Sequence, residues 1–320
     1  MARWVRISTV AYSPVEAGDR FLERQRDHIA EMAEMAAQAR PRPDLIAFPE
    51  VCTTLGMPGG IKEHVEAAES IPGPSTDRLS EVAAKHRVHI VLPMFERAGD
   101  KLYNSSAFIG REGELVGVYH KYHPTVGEME AGVMPGEEVP AFALDFGRVG
   151  AAICFDMKFV EVGQTLARNG ARLCVFSSMF VAGNRLWHWA RDFGFYMISS
   201  CTARSYIVDM GGGRCLAETG QEIHEVANGI VPPLASAVIN MDRCQFHLDY
   251  NGPRLREVFA KYGQGVEVEI WRPEAHFTLA SLMDDVTVDD IVAEFELEPW
   301  VAYLDRARLA RRTMLAEGHV

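Results

Sequence analysis

Three side chains of complementary chemistry stand just beyond three separate apolar runs: Glu50 after "LIAFP", Lys121 after "LVGVYH" and Cys154 after "VGAAI". A thiol hydrolyses nothing unaided. It needs a base or a lowered pKa, and donors for the oxyanion that forms when it attacks a carbon. A carboxylate can serve as that base and an ammonium as the oxyanion clamp, so the three residue types make a complete set for covalent hydrolysis. The small residues before Cys154, and the polar Asp156 and Lys158 after it, mark a strand-to-turn junction. There the backbone N–H of Phe155 can point into the same cavity as the sulfur. Each residue alone has a plainer role, as a buried inert thiol, a solvated cap or an edge charge. The ordered set carries the expectation.

Those residues need strands to hold them. "VRISTVA" (5–11) alternates like a β-strand, and 17–40 places Leu22, Ile29, Met32, Met35 and Ala36 at helical spacing. "LIAF" (45–48) reads as a buried strand, and 73–87 as a helix capped by Ser75 or Thr76. "VHIVLPMF" (88–95) is a further strand, giving a β-α-β-α-β order and a sheet covered by helices. Residues 103–109 and 115–121 form a hairpin around "GREGE". "AFALDF" and "VGAAIC" form a second one, around Gly147-Arg148. Beyond Cys154 come a helix stopped at Gly170, a strand at 172–178, a helix at 184–196 and a strand at 197–203. A hairpin around Gly220 (215–226) and a last core strand at 235–242 follow. From about residue 245 the pattern weakens into helical pieces. The expected organisation is thus a catalytic domain over 1–245, with a C-terminal extension over 246–320 packing on it or on a partner subunit.

Composition narrows the class. The 320 residues are 48% hydrophobic and 24% charged, with a net charge of −12, which fits a globular protein with an acidic exterior and argues against a nucleic-acid partner. No apolar run is long enough to span a membrane, and "MARWVRISTVAY" lacks the core of a secretory signal. Cys52, Cys154, Cys174, Cys201, Cys215 and Cys244 are scattered, which is the pattern of reduced thiols and points to the cytoplasm. His86 with His89, and His120 with His123, are the pairs a metal hydrolase would draw on. The first lies at a helix-to-strand junction and the second straddles Lys121, so packing or surface roles suit them better.

Five stretches together give a resemblance: "AFPE" (47–50), "SIPGPSTDRLSEVA" (70–83), "YNSSAFIGREGELVGVYHKYHP" (103–124), "GRVGAAICFDMKF" (147–159) and "HWARDFGFYMISS" (188–200). They resemble the nitrilase, or carbon–nitrogen hydrolase, superfamily over nearly the whole chain to about residue 245. The resemblance implies an α/β fold, a four-layer α-β-β-α sandwich that dimerises to an eight-layer assembly or a higher homo-oligomer. It implies Glu50 as general base, Lys121 as the cation stabilising the tetrahedral intermediate and Cys154 as nucleophile. It also implies a second glutamate after the lysine, for which spacing favours Glu128 over Glu130, with Glu137 and Glu138 further on. Phe155 would donate to the oxyanion, and the segment at Met179-Phe180 would contribute to the substrate pocket. "CFD" favours an amide or N-carbamoyl substrate, with a nitrile as the alternative and a non-catalytic binding protein as a remote one. No cofactor is implied. Lys158 and Val160 stand where the family commonly has Arg and Pro.

Overall fold

The computed structural model of the protein describes residues 4–220 and 233–317. Two six-stranded sheets face each other, with helices on their outer faces, giving the four-layer α-β-β-α sandwich. The first sheet runs β12-β1-β2-β3-β4-β5, where β1 is Trp4–Val10, β2 Leu45–Ala47, β3 His89–Ala98, β4 Lys101–Ile109, β5 Leu115–His120 and β12 Leu234–Asn240. The second runs β11-β10-β9-β8-β7-β6, from Cys215–Thr219 through Ser205–Val208, Tyr196–Ser200, Leu173–Ser177 and Gly147–Ile153 to Ala141–Leu144. In each sheet three adjacent strands are parallel: β1, β2 and β3 in one, β7, β8 and β9 in the other.

Strand alternation explains the layers. In β2, Leu45 and Ala47 point between the sheets, where they join Val149, Ala151, Val175 and Ile198. Ile46 points the other way, into a cluster with Ile29, Ala33, Leu79 and Val82 from helices α1 (Phe21–Gln38) and α3 (Pro74–His86). Buried hydroxyls stitch the two sheets where the parallel strands end. Thr9 Oγ1 donates to Ser199 O at 2.8 Å, Ser177 Oγ to Phe48 O at 2.9 Å and Ser200 Oγ to Val10 O at 3.0 Å. That seam fixes one strand-end edge against the other, and the candidate site lies on it.

Several local expectations are revised. The buried face of α1 is Phe21, Gln25, Ile29, Ala30, Ala33, Ala36 and Ala37, while Met35 is exposed. Helical spacing was right, but the close packing of α1 on α3 selects alanines over the longer side chains. The cap of α3 is Gly73, followed by Pro74 at the first helical position. Thr76 acts from within the helix, its hydroxyl accepting the Gly73 N–H at 2.8 Å. The second hairpin turns at Asp145-Phe146, because Leu144 pairs with Gly147. The helix expected at 184–196 stops at Phe193, where Gly194 takes a left-handed φ of 69°, and Tyr196 already belongs to β9. The strand at 205–208 was not expected, and Leu234–Asn240 is an edge strand, antiparallel to β1. The second arm of the hairpin expected around Gly220 lies outside the described residues.

The largest revision is C-terminal. Instead of helices alone, a three-stranded antiparallel sheet begins at Arg243: β13 (Arg243–His247), β15 (His276–Ser281) and β14 (Val266–Trp271) in that order. With helices α7 (Gly252–Tyr262) and α8 (Val288–Glu294) it encloses its own core of Phe246, Val258, Phe277, Leu279 and Ile291. It is tied to the sandwich by Asn240 Nδ2 donating to Ser281 O and Gln245 Nε2 donating to Arg191 O. The last helix, α9 (Trp300–Ala316), is joined to the sandwich by an Arg168–Asp305 ion pair and by Trp300 Nε1 donating to Asp192 O.

Candidate active site

Glu50 follows β2 across Phe48 and Pro49, and its position depends on the loop after it. The carbonyl oxygen of Cys52 accepts from Tyr12 Oη at 2.9 Å and from Gln25 Nε2 at 2.7 Å. Val51, a β-branched residue, is held at φ +44° by this anchoring, a conformation such residues rarely adopt. Lys121 follows β5 and is fixed through its backbone: its N–H donates to Asn104 O and its carbonyl accepts from Gly136 N. Glu128 is placed by a capping box. Thr125 opens helix α4 (Val126–Glu130), with Glu128 Oε2 accepting the Thr125 N–H at 2.7 Å and Thr125 Oγ1 accepting the Glu128 N–H at 3.2 Å.

Cys154 opens a short 3₁₀ turn, Cys154–Lys158, directly after β7, with φ +45°. Asp156 holds that turn. Its fully buried carboxylate accepts from Ile153 N at 2.9 Å, Tyr119 Oη at 2.7 Å and His123 N at 2.8 Å. The elbow carrying the thiol is therefore clamped to the strand and loop that flank Lys121. Burial pushes the Asp156 carboxyl up to about 6, against these hydrogen bonds.

These three elements converge. Lys121 Nζ donates to Glu50 Oε1 at 2.9 Å and to Glu128 Oε1 and Oε2 at 3.0 and 2.8 Å. Asn104 Nδ2 bridges the same two carboxylates, at 3.0 Å to Glu50 and 2.7 Å to Glu128. The second oxygen of Glu50 accepts the Met179 backbone N–H at 3.0 Å. Lys121 is only 1% exposed, so burial works to lower its pKa, but attraction to Glu50 and Glu128 wins and raises it. The Glu128 carboxyl is lowered, since Lys121 outweighs the penalty of burial. Burial, and then the Glu50 charge, push the Cys154 thiol up to about 12, while Lys121 and contacts with Ser178 and Met179 pull the other way. A thiol in that state is protonated at neutral pH and needs a base to react.

Glu50, Lys121, Glu128 and Cys154 all line one cavity of about 450 Å³, together with Asn104, Thr125 and Met179. Glu130, at the end of its short helix, is exposed and outside that lining. Met179 is 50% exposed at the cavity. Phe155 and Phe180 are half-buried outside the lining; the Phe155 ring packs edge-on to Phe159, and the Phe180 ring meets Phe176 and the Lys158 ammonium. Each paired histidine faces its own carboxylate: His86 with Glu34, His89 with Asp145, His120 with Glu96 and His123 with Glu161. Asn104, Tyr119 and Ser178 carry no role that the sequence alone assigns, and Asp156 reads there only as a turn residue. The signal for Asn104 was present, because "YNSS" puts consecutive polar residues in the middle of a buried strand.

The family model described as carbon-nitrogen hydrolase matches residues 9–223. Human omega-amidase NIT2 is 34% identical over 157 residues, 45% of this chain and 55% of the human protein, so the match spans about half of that relative. The omega-amidase NIT2 of Xenopus tropicalis is 32% identical over 58% of this chain and 67% of its own. A bifunctional nitrilase/nitrile hydratase NIT4A from Lupinus angustifolius is 27% identical over 63% of this chain and 62% of its own. Among solved structures, a carbon-nitrogen hydrolase from Helicobacter pylori superposes with a TM-score of 0.62 at 16% identity, covering 81% of this chain and 93% of that one. Saccharomyces cerevisiae Nit3, a member of branch 10 of the nitrilase superfamily, gives a TM-score of 0.60 at 20% identity, covering 74% and 90%. At those identities the structural likeness speaks for the fold, and the family match speaks for descent: the chain belongs to the carbon–nitrogen hydrolase family.

Proposed function

We propose that this protein hydrolyses a non-peptide amide or N-carbamoyl bond through a thioester on Cys154. The observation that carries the reading is the Lys121 ammonium held between Glu50 and Glu128 in the cavity that Cys154 lines. Glu50 takes the thiol proton, a transfer the raised thiol pKa makes necessary. The sulfur attacks the carbonyl carbon, and Lys121 and the Phe155 backbone N–H receive the oxyanion. Glu50 returns the proton to the departing ammonia or amine, then activates the water that cleaves the thioester. Glu128 keeps Lys121 charged and in place. The amidase names of the human and frog relatives support the amide reading. The lupin relative favours a nitrile as the second reading.

Mass spectrometry of the wild-type protein and a Glu50→Gln variant, after incubation with mixed amides and N-carbamoyl compounds, tests this. An acyl adduct on the Cys154 peptide of the wild-type protein, absent from or strongly reduced in the variant that lacks the base, is the expected result. Acid and ammonia released from nitriles, with no amide turnover, reverses the order of the two readings. Undiminished amide hydrolysis by Cys154→Ala ends both.

A further inference from the structure

The charge of the cavity carries a conclusion about the acyl group. Two carboxylates, Glu50 and Glu128, stand against one ammonium at its base. Lys121 Nζ makes three carboxylate contacts, so its single charge is already offset by the two glutamates around it. The wall above is apolar, formed by Val51, Leu55, Ile61, Phe95 and Met179. His64 is the remaining titratable group on it. Its Nε2 lies 2.9 Å from the Met57 carbonyl oxygen, which can only accept, so that ring nitrogen carries a proton and is engaged away from the cavity's substrate space. Among the described residues, no arginine and no lysine other than Lys121 lines the cavity. Residues 221–232 contain neither type.

From this we infer that the cavity selects amides whose acyl chain is short, aliphatic and uncharged, and that it discriminates against acyl chains ending in a carboxylate. The inference rests on the amide reading proposed above and names its substrate class. A carboxylate entering this space would leave water for an apolar wall, with no arginine or second lysine among the described lining residues to receive it and a surplus negative charge beneath it. A volume of about 450 Å³ lies toward the small end of ligand cavities, which run from about 300 to 1,000 Å³.

The test compares two amides of matched length, pentanamide and glutaramate, which differ by a terminal carboxylate. Ammonia release by the full chain should give kcat/KM at least about tenfold higher for pentanamide. Ile61→Arg places a cation on a 41% exposed wall position, where folding tolerates it, and should narrow that ratio by raising glutaramate turnover. A second measurement needs no turnover: the rates at which iodoacetamide and iodoacetate alkylate Cys154, followed on its own peptide and referred to free cysteine. The neutral reagent should be favoured at least about tenfold more than in free cysteine. Glutaramate hydrolysed as fast as pentanamide, or an alkylation ratio equal to that of free cysteine, overturns the selectivity and leaves amide hydrolysis standing. Alkylation that favours iodoacetamide with neither amide hydrolysed keeps the charge discrimination and overturns the amide reading instead.

Discussion

Glu128 holds the Lys121 ammonium with both of its carboxylate oxygens, at 3.0 and 2.8 Å, whereas Glu50 holds it with Oε1 alone, at 2.9 Å. Glu128 also accepts from Asn104 and from the Thr125 N–H, so its lone pairs are nearly all engaged. Glu50 Oε2 has only the Met179 N–H. The two glutamates are therefore unequal: Glu50 retains acceptor capacity toward the cavity, and Glu128 is committed to the lysine. Lys121→Met leaves two buried carboxylates facing each other. It should destabilise the protein by about 3–5 kcal/mol and lower turnover by at least about 10²-fold. Adding Glu128→Gln removes the repulsion and should restore much of the stability but none of the activity. Denaturant unfolding with an ammonia-release assay checks both; a single variant as stable and active as wild type would refute the arrangement.

Cys154 combines its chemistry with a left-handed backbone, φ +45°, that a residue with a Cβ adopts at a cost. Two inactive variants separate the side chain from the strain. Cys154→Ala and Cys154→Gly should each lose at least about 10⁴-fold in turnover. Cys154→Gly should nevertheless be the more stable of the two, by about 0.5–1 kcal/mol, since glycine occupies that φ without penalty. An alanine variant more stable than the glycine variant in equilibrium unfolding would show that the elbow is not strained.

The parts of the site that were legible in the sequence are those with a local cause. "TVGE" is a capping box, and it fixes Glu128 one turn into its helix while Glu130 falls on the solvent side. Pro49-Glu50 stands after an apolar run that reads as a buried strand, and Lys121 after a run that reads as a strand and is the half-buried edge strand β5. What stayed hidden depends on partners distant in the chain. Asp156 reads as a turn residue until Tyr119 and His123 close on it. Ser177 reads as a polar strand end until Phe48 from the other sheet lies against it. The C-terminal sheet was the harder part: "VEVEIW" alternates apolar and acidic residues as a half-buried strand does, but its central partner β15, buried along its whole length, carries His276, Thr278 and Ser281 and so shows no apolar run.

Asn104 is a positioning residue in this geometry. One amide nitrogen donates to both Glu50 and Glu128, holding two like charges in a common frame around the lysine. Asn104→Ala removes both contacts and should lower kcat by about 10–100-fold with little change in KM, because the loss is in orientation of Glu50, the proposed base. Asn104→Asp places a third carboxylate beside the other two, and should raise the acidic limb of the pH–rate profile as well. A KM effect without a kcat effect would move Asn104 from positioning to substrate binding.

Asp156 gives the fold a pH signature of the opposite sign to Glu128. The Glu128 carboxyl is lowered by Lys121, so its contribution is present above the unfolded pKa and is lost as pH falls through the folded one. The Asp156 carboxyl is raised to about 6 by burial. Between about pH 4, where an unfolded aspartate titrates, and pH 6, the folded state binds more protons than the unfolded state, so this contribution is full below about pH 4 and is lost as pH rises through the window. The loss is on the order of 3 kcal/mol. Asp156→Asn abolishes the titration. It also leaves the Tyr119 hydroxyl and the Ile153 N–H facing an NH₂ group where Oδ2 had accepted both. The variant should therefore be less stable than wild type at pH 4, with the gap narrowing as pH rises to 7. Unfolding midpoints of the two proteins, measured side by side from pH 4 to 7, read this directly. A gap that is constant or widens with pH would mean that Asp156 is ionised throughout and that its hydrogen bonds outweigh its burial.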